Sequence, residues 1–181
     1  VYELEAKIAL SEAVATEEPS AGEALLETYT DGPWPERIQR ALVGLILKPI
    51  RQPIQSGRLP FPQEAWTFVN EGWAARPGVI EAAKPLAKKA WKLVRKSEAY
   101  QHYRLFYTLW PGSSHAATAR RQEPNVLWKR VKAIRRTSDL RSFVELFRSD
   151  KRALEAERQL FQREMLEEIA IANSKAILVK Q

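Results

Sequence analysis

The sequence predicts an all-α protein: a helical bundle of about three to four long helices, preceded by an acidic helical extension and a proline-rich strap. Three observations lead there. No stretch alternates apolar and polar residues over a useful strand length, whereas several windows repeat apolar residues at helical spacing. Prolines and glycines punctuate the chain between those windows. With 181 residues, 45% of them apolar, the chain has enough material to bury a real core.

The elements follow in order. Residues 2–16 carry Leu4, Ile8 and Ala15 along one side with glutamates on the other, which reads as a short acidic helix. Ser20, Ala21, Gly22, Glu23 form a capping-box pattern ahead of Leu25 and Leu26, so a second acidic helix is expected there. Asp31, Gly32, Pro33, Trp34, Pro35 make a turn that puts Pro35 at a first helical position, and that helix should run through Leu47. Pro49 is expected to stop it, because proline supplies no N–H and clashes with the preceding turn. From Lys48 to Pro62 the prolines at 49, 53, 60 and 62 favour an extended strap over a surface. Helix signals return at residues 63–75 with Trp66, Val69 and Trp73, and end at Arg76, Pro77, Gly78.

Residues 79–109 hold the clearest amphipathic pattern. At 100° per residue Val79, Ala83, Leu86, Ala90, Leu93 and Val94 fall on one side and Lys84, Lys88, Lys92, Arg95 and Lys96 on the other. Pro85 is absorbed as a kink or late start, and Trp110, Pro111, Gly112 end the run. A small polar loop to Gln122 follows, and Pro124 opens a helix to about Arg136. Thr137, Ser138 and Asp139 offer N-caps for a helix from Leu140 to Phe147, and Ser149 or Asp150 for a long last helix with Leu154, Phe161, Met165, Ile169 and Ala172 along one stripe. The expected organisation is therefore residues 1–62, acidic helices plus extended strap, and residues 63–181, a bundle with a basic middle and a long C-terminal helix.

Charge is segregated along this order. Residues 1–32 carry eight carboxylates against Lys7, a net of −7. Residues 84–136 carry fourteen Lys and Arg against Glu98 and Glu123, a net of +12, within a chain whose formal charge is +7. A basic middle points to an anionic partner. The candidate contact residues are Lys84, Lys88, Lys92, Arg95, Lys96, Arg120, Arg121, Lys129, Arg130, Lys132, Arg135 and Arg136, with Trp91, Tyr100, Tyr103, Trp110 and Trp128 interleaved. Cations and rings together suit RNA through phosphate contacts and stacking. They equally suit an acidic protein surface, or anionic lipid headgroups, where each well-placed cation contributes about 1 kcal/mol. The plain alternative is a solvated helix face above a core of aromatics.

The sequence gives no support for catalysis. There is no cysteine, hence no thiolate nucleophile or thiolate metal site. His102 and His115 lack a second His or a carboxylate at a metal-ligand spacing. His102, between Tyr100 and Tyr103, reads as a hydrogen-bonded, partly buried side chain. Ser113 and Ser114 sit in a loop without the strand and glycine pattern of a nucleophile elbow, and the seven glycines make no phosphate cradle. Glu17 with Glu18 and Glu167 with Glu168 read as solvated pairs. No catalytic residue, cofactor or metal is expected. No apolar run reaches the roughly 18 to 20 residues of a membrane-spanning helix, the longest being Ala41–Leu47. The chain begins at Val1 rather than Met, which fits removal of an N-terminal targeting peptide as well as an artificial boundary.

The helix from Val79 to Ser97, the step Ala99, Tyr100, Gln101, His102, Tyr103, the helix start Glu123, Pro124, Asn125, Val126 and the final pair beginning at Asp139 to Phe147 follow a familiar order. In these elements residues from about 75 to about 165 resemble a three-helix accessory subunit of the matrix arm of respiratory complex I. That resemblance implies a non-catalytic, peripheral mitochondrial subunit without a cofactor of its own. The expectation is a structural subunit of a large mitochondrial energy-converting complex, on the matrix side and peripheral to the inner membrane, with other protein subunits as partners. The alternative is an RNA-contacting structural protein of an organellar ribosome. A total of 29 Lys and Arg against 22 acids, with an acidic front, favours protein partners over RNA.

Overall fold

The computed structural model describes residues 2–134 and 136–178, and all regular structure among them is helical. The elements are α1 (Tyr2–Thr16), α2 (Pro19–Thr28), α3 (Trp34–Gln55), α4 (Pro62–Asn70), α5 (Val79–Ala83), α6 (Ala87–Val94), α7 (Tyr100–Leu109), α8 (Ala116–Ile134), α9 (Thr137–Leu146) and α10 (Ala153–Leu178). The fold class is as expected. The helices are more numerous and mostly shorter than the expected three to four long ones, because single residues such as Gly72 (φ +70°) and Gly78 (φ +80°) stop or start them in the left-handed region.

The chain forms two compact units, one from residues up to 97 with 101–120, the other from 98–100 with residues from 121 onward. The first is organised by α3, against which α1, α2, α5 and α6 pack. Its inward stripe, Ile38, Leu42, Ile46, Ile50 and Ile54 with Val43 and Leu47, is buried along its whole length. This overturns the expected extended strap: α3 passes through Pro49 and Pro53 and ends only at Gln55, leaving residues 58–61 as the irregular part. Two facts explain it. Interior prolines cost about 3 kcal/mol each, and burying Ile50 and Ile54, at 0% and 1% exposure, returns about 1.5–3 kcal/mol each. The carbonyls deprived of donors, those of Leu45 and Pro49, belong to half-buried and exposed residues, where solvent can reach them.

The N-terminal helices also differ in detail. α2 starts at Pro19 behind Glu18, with no side-chain cap, so the Ser20 to Glu23 capping box does not form. Gly22 instead lies against Leu42, where an added Cβ would come within 3.1 Å of the Leu42 side chain, and this close approach seats α2 on α3. Ala6, Trp34 and Ile38 form a small core completed by Leu10, Leu25, Leu26 and Tyr29. The α1 stripe of Leu4 and Ile8 points outward, while Ala6 and Ala13 are buried.

α4 ends at Asn70, short of Ala75, and buries Ala65 and Phe68, with Trp66 half-buried beneath Arg104 at 5.2 Å. A 3-10 turn at Lys84–Leu86 accommodates Pro85 between α5 and α6. From α7, Leu105, Phe106, Leu109 and Trp110 fill the same unit, and Trp110 Nε1 donates to the carbonyl of Ala83 at 2.7 Å.

In the second unit Leu127, Trp128, Val131, Leu140, Phe143, Ala153 and Ala156 are buried. α8 begins at Ala116 and includes Pro124, so most of the expected loop up to Gln122 is helical, consistent with its Ala-rich start. α9 begins at Thr137 behind Arg136, and Asp139 is a buried third residue rather than a cap, receiving Nε of Arg130 at 3.1 Å. α9 lies antiparallel on α10: Thr137 bonds Glu167 at 2.9 Å and Arg141 pairs with Glu164 at 2.8 Å.

Candidate interaction surfaces

The amphipathic reading of α5 and α6 holds at the level of side chains. Val79, Ala83, Ala90 and Val94 are buried and Leu86 and Leu93 half-buried, while Lys88, Lys92, Arg95 and Lys96 are exposed. Helical geometry sets these four cations within a sector of about 100°. Among the described residues the side chain of none of the four has a hydrogen-bond or carboxylate partner. Lys84, the fifth member of the expected face, pairs with Glu81 at 2.6 Å. Lys89, absent from the sequence-derived set, reaches back to the carbonyl of Gln55 at 2.5 Å and ties α6 to the end of α3. Nothing in its sequence position distinguishes it from its neighbours.

The acidic front does not neutralise this row. Two of its carboxylates are used elsewhere: Glu17 pairs with Lys48 on α3, and Glu23 with Arg76 at 2.8 Å. α1 and α2 therefore pack on α3 as fitted helices held by ion pairs outside the α6 row.

The remaining candidates divide. Arg120 lies over the ring of Tyr107 at 5.0 Å. On α8, Arg121, Lys129 and Lys132 share an exposed side at spacings of eight and three residues, and Lys132 covers Trp128 at 5.7 Å. Arg130 is half-buried and engaged with Asp139, and so is structural. Arg136 is exposed at the start of α9. Arg135 lies outside the described residues.

The aromatic residues are mostly interior. Tyr100, Tyr103, Trp110 and Trp128 are buried. Trp91 is half-buried, with His115 stacked on it at 4.8 Å and 9° and Phe106 tilted against it at 5.1 Å. His115, read from the sequence as a loop residue, is thus placed by its ring contact. His102 is buried and bonded at both ring nitrogens, as the sequence suggested.

A second kind of surface is apolar. Along α10, Leu154, Phe161, Met165, Leu166, Ile169 and Ile171 are between 47% and 68% exposed. The expected stripe exists but faces away from α9, which instead meets Ala153, Ala156 and their neighbours. Residues 168–173, past the Thr137–Glu167 bond, are all exposed.

Concave features are shallow. A groove of about 560 Å³ in the first unit is walled by Leu45, Ile46, Pro49, Phe68 and Trp73, with Glu71 at its rim held by Trp73 Nε1 at 2.5 Å. Among the described residues there is no group of three or more His, Asp or Glu placed to hold a metal ion, and no helix long and apolar enough to cross a membrane. No protein-family model matches the chain, and neither curated proteins nor solved structures give a match.

Proposed function

We propose that the chain is a non-catalytic structural subunit of a large assembly, and that this assembly is a mitochondrial energy-converting complex, to which it is peripheral on the matrix side. The observation that carries the subunit reading is the outer row of α10. Leu154, Phe161, Met165 and Ile169 form one exposed apolar stripe on the side of α10 turned away from α9, with Leu166 and Ile171 exposed beside it, and such a surface costs solubility and order unless another surface buries it. Covering such a row is how a helix docks into a partner's groove.

The narrower assignment rests on the resemblance of residues from about 75 to about 165 to a complex I accessory subunit. The ribosomal alternative relies on phosphate contacts plus stacking, and four of the five candidate aromatics are buried, which leaves phosphate contacts alone to support it.

The test is size fractionation of the native protein from its source, with and without nuclease, followed by identification of what co-migrates. Nuclease-resistant migration with membrane respiratory subunits is the expected result. Collapse to small size on nuclease treatment would replace this reading with the RNA-contacting one, and migration as a monomer would remove both.

A further inference from the structure

We infer that the exposed cation row Lys88, Lys92, Arg95 and Lys96 rests on the headgroups of an anionic lipid bilayer. This deepens the peripheral-subunit reading and takes its location from it, while its chemistry stands on three separate observations.

First, the row has no internal counter-charge: none of the four side chains has a partner among the described residues, and Glu17 and Glu23 of the acidic front are engaged with Lys48 and Arg76. Second, it has no apolar anchor. Among the described residues no exposed large apolar side chain occurs between Phe61 and Ile134. Protein interfaces concentrate their affinity in buried aromatic or aliphatic anchors, so a bare charge row suits them poorly. Adsorption to an anionic bilayer needs only the charges, and a short amphipathic helix with the turn that ends it, carrying four cations on one side, meets that requirement. Three of the four are lysines, point charges that suit a diffuse anionic surface better than the bidentate geometry for which arginine is specialised.

Third, the row has no free ring face to grip a base. Trp91, the aromatic on the same helix, is covered by His115 on one contact and Phe106 on another, at 4.8 and 5.1 Å. Single-stranded RNA would find phosphate contacts here without the stacking that usually holds it.

The experiment is co-sedimentation of the whole chain with phosphatidylcholine vesicles, neutral or containing about 30% phosphatidylglycerol. The chain should partition onto the anionic vesicles only, and less as salt is raised. Neutralising two cations of the row, Lys88→Gln with Lys92→Gln, should lower the partition coefficient about 25-fold, roughly fivefold per charge. The matched pair on α8, Arg121→Gln with Lys129→Gln, should change it less than about threefold. Because all four side chains are exposed, both variants should keep the parent's circular dichroism and melting temperature.

Equal partitioning onto neutral vesicles, equal loss in the two variants, or no partitioning at all would each overturn the inference. So would salt-sensitive binding of a fluorescein-labelled oligouridine that is lost with Lys88→Gln and Lys92→Gln while vesicles are ignored. Any of these results alongside continued nuclease-resistant co-migration would remove the lipid contact and leave the subunit reading standing.

Discussion

His102 and Pro60 are joined across 42 positions of sequence: a ring nitrogen of His102, Nε2, donates to the carbonyl of Pro60 at 2.8 Å. A carbonyl only accepts, so Nε2 carries the proton and Nδ1 accepts from the Ser97 hydroxyl at 2.6 Å. Neutral imidazole thus clamps the irregular segment before α4 to the junction after α6. Tyr103 adds a hydroxyl bond to the Ser97 carbonyl at 3.3 Å, and burial pushes its phenol pKa up.

Burial lowers the His102 pKa below the ordinary 6.5, with the Pro60 bond acting weakly the other way. Between the folded and unfolded values the unfolded chain binds the extra proton, so the stability contribution is whole above 6.5 and falls as pH drops below it. Melting temperature measured from pH 8 down to about 5 should decline through that window. In His102→Gln the decline should flatten, with a pH-independent loss of about 1–3 kcal/mol from the disturbed bonds at Pro60 and Ser97. An unchanged slope in the variant would assign the pH dependence to another group.

The passage of α3 through two prolines predicts opposite effects at adjacent positions. Ile50→Ala should destabilise by about 2–5 kcal/mol, since Ile50 is fully buried. Pro49→Ala should stabilise by about 1–2 kcal/mol: it restores a donor for the Leu45 carbonyl, and the looser unfolded chain offsets only part of that. Urea melts of the two variants decide the matter. An extended strap over a surface would give little change at either residue.

Asp150 is held by Arg152 through paired bonds of 2.7 and 2.6 Å, and this drives its pKa from 3.8 to about 2. Its contribution is complete above 3.8 and disappears as pH falls towards 2. Arg152 also lies over Trp128 and Phe143 at 5.8 and 5.5 Å, so the pair secures the aromatic centre of the second unit. Arg152→Gln should return the Asp150 titration, followed by carbon-detected NMR, to the ordinary carboxylate range and flatten acid unfolding between about pH 4 and 2.

Acidic substitutions on the α10 row separate folding from docking. Phe161→Asp with Ile169→Asp should change the unfolding free energy of the isolated chain by no more than about 0.5 kcal/mol per substitution, because both side chains are mostly exposed. Incorporation into the native assembly should fall at least tenfold, read by co-migration in size fractionation. Normal incorporation would free α10 from any docking role.

The all-helical class and the two sides of α6 could be read from the sequence because both rest on period alone. Which side of a helix is covered could not be read so easily. On α1 and α10 the larger residues, Leu4, Ile8, Phe161 and Met165, mark the strongest stripe, yet Ala6, Ala13, Ala153 and Ala156 are buried. Close packing of helices selects small side chains at the contact, so the packed side can look weaker in hydropathy than the open one. Pro49 and Pro53 misled for a related reason: their local cost is visible in the sequence, while the burial of Ile50 and Ile54 that offsets it is a tertiary fact. The candidate contact set shows the same limit. Arg130 and Lys92 are both basic residues in a helix, and only the fold separates a cation engaged by Asp139 from one facing water.

Since Glu17 and Glu23 pair with Lys48 and Arg76, the front of the chain and the α6 row keep their opposite charges apart rather than cancelling them. The first unit therefore carries an acidic front and a basic row that do not pair with each other. Outside an anionic surface the α6 row is attracted and the acidic front repelled before any contact forms. That attraction and repulsion act over a distance on the order of the Debye length, ~8 Å at physiological salt. By pairing with Lys48 and Arg76 rather than with the α6 row, Glu17 and Glu23 leave that row its full charge.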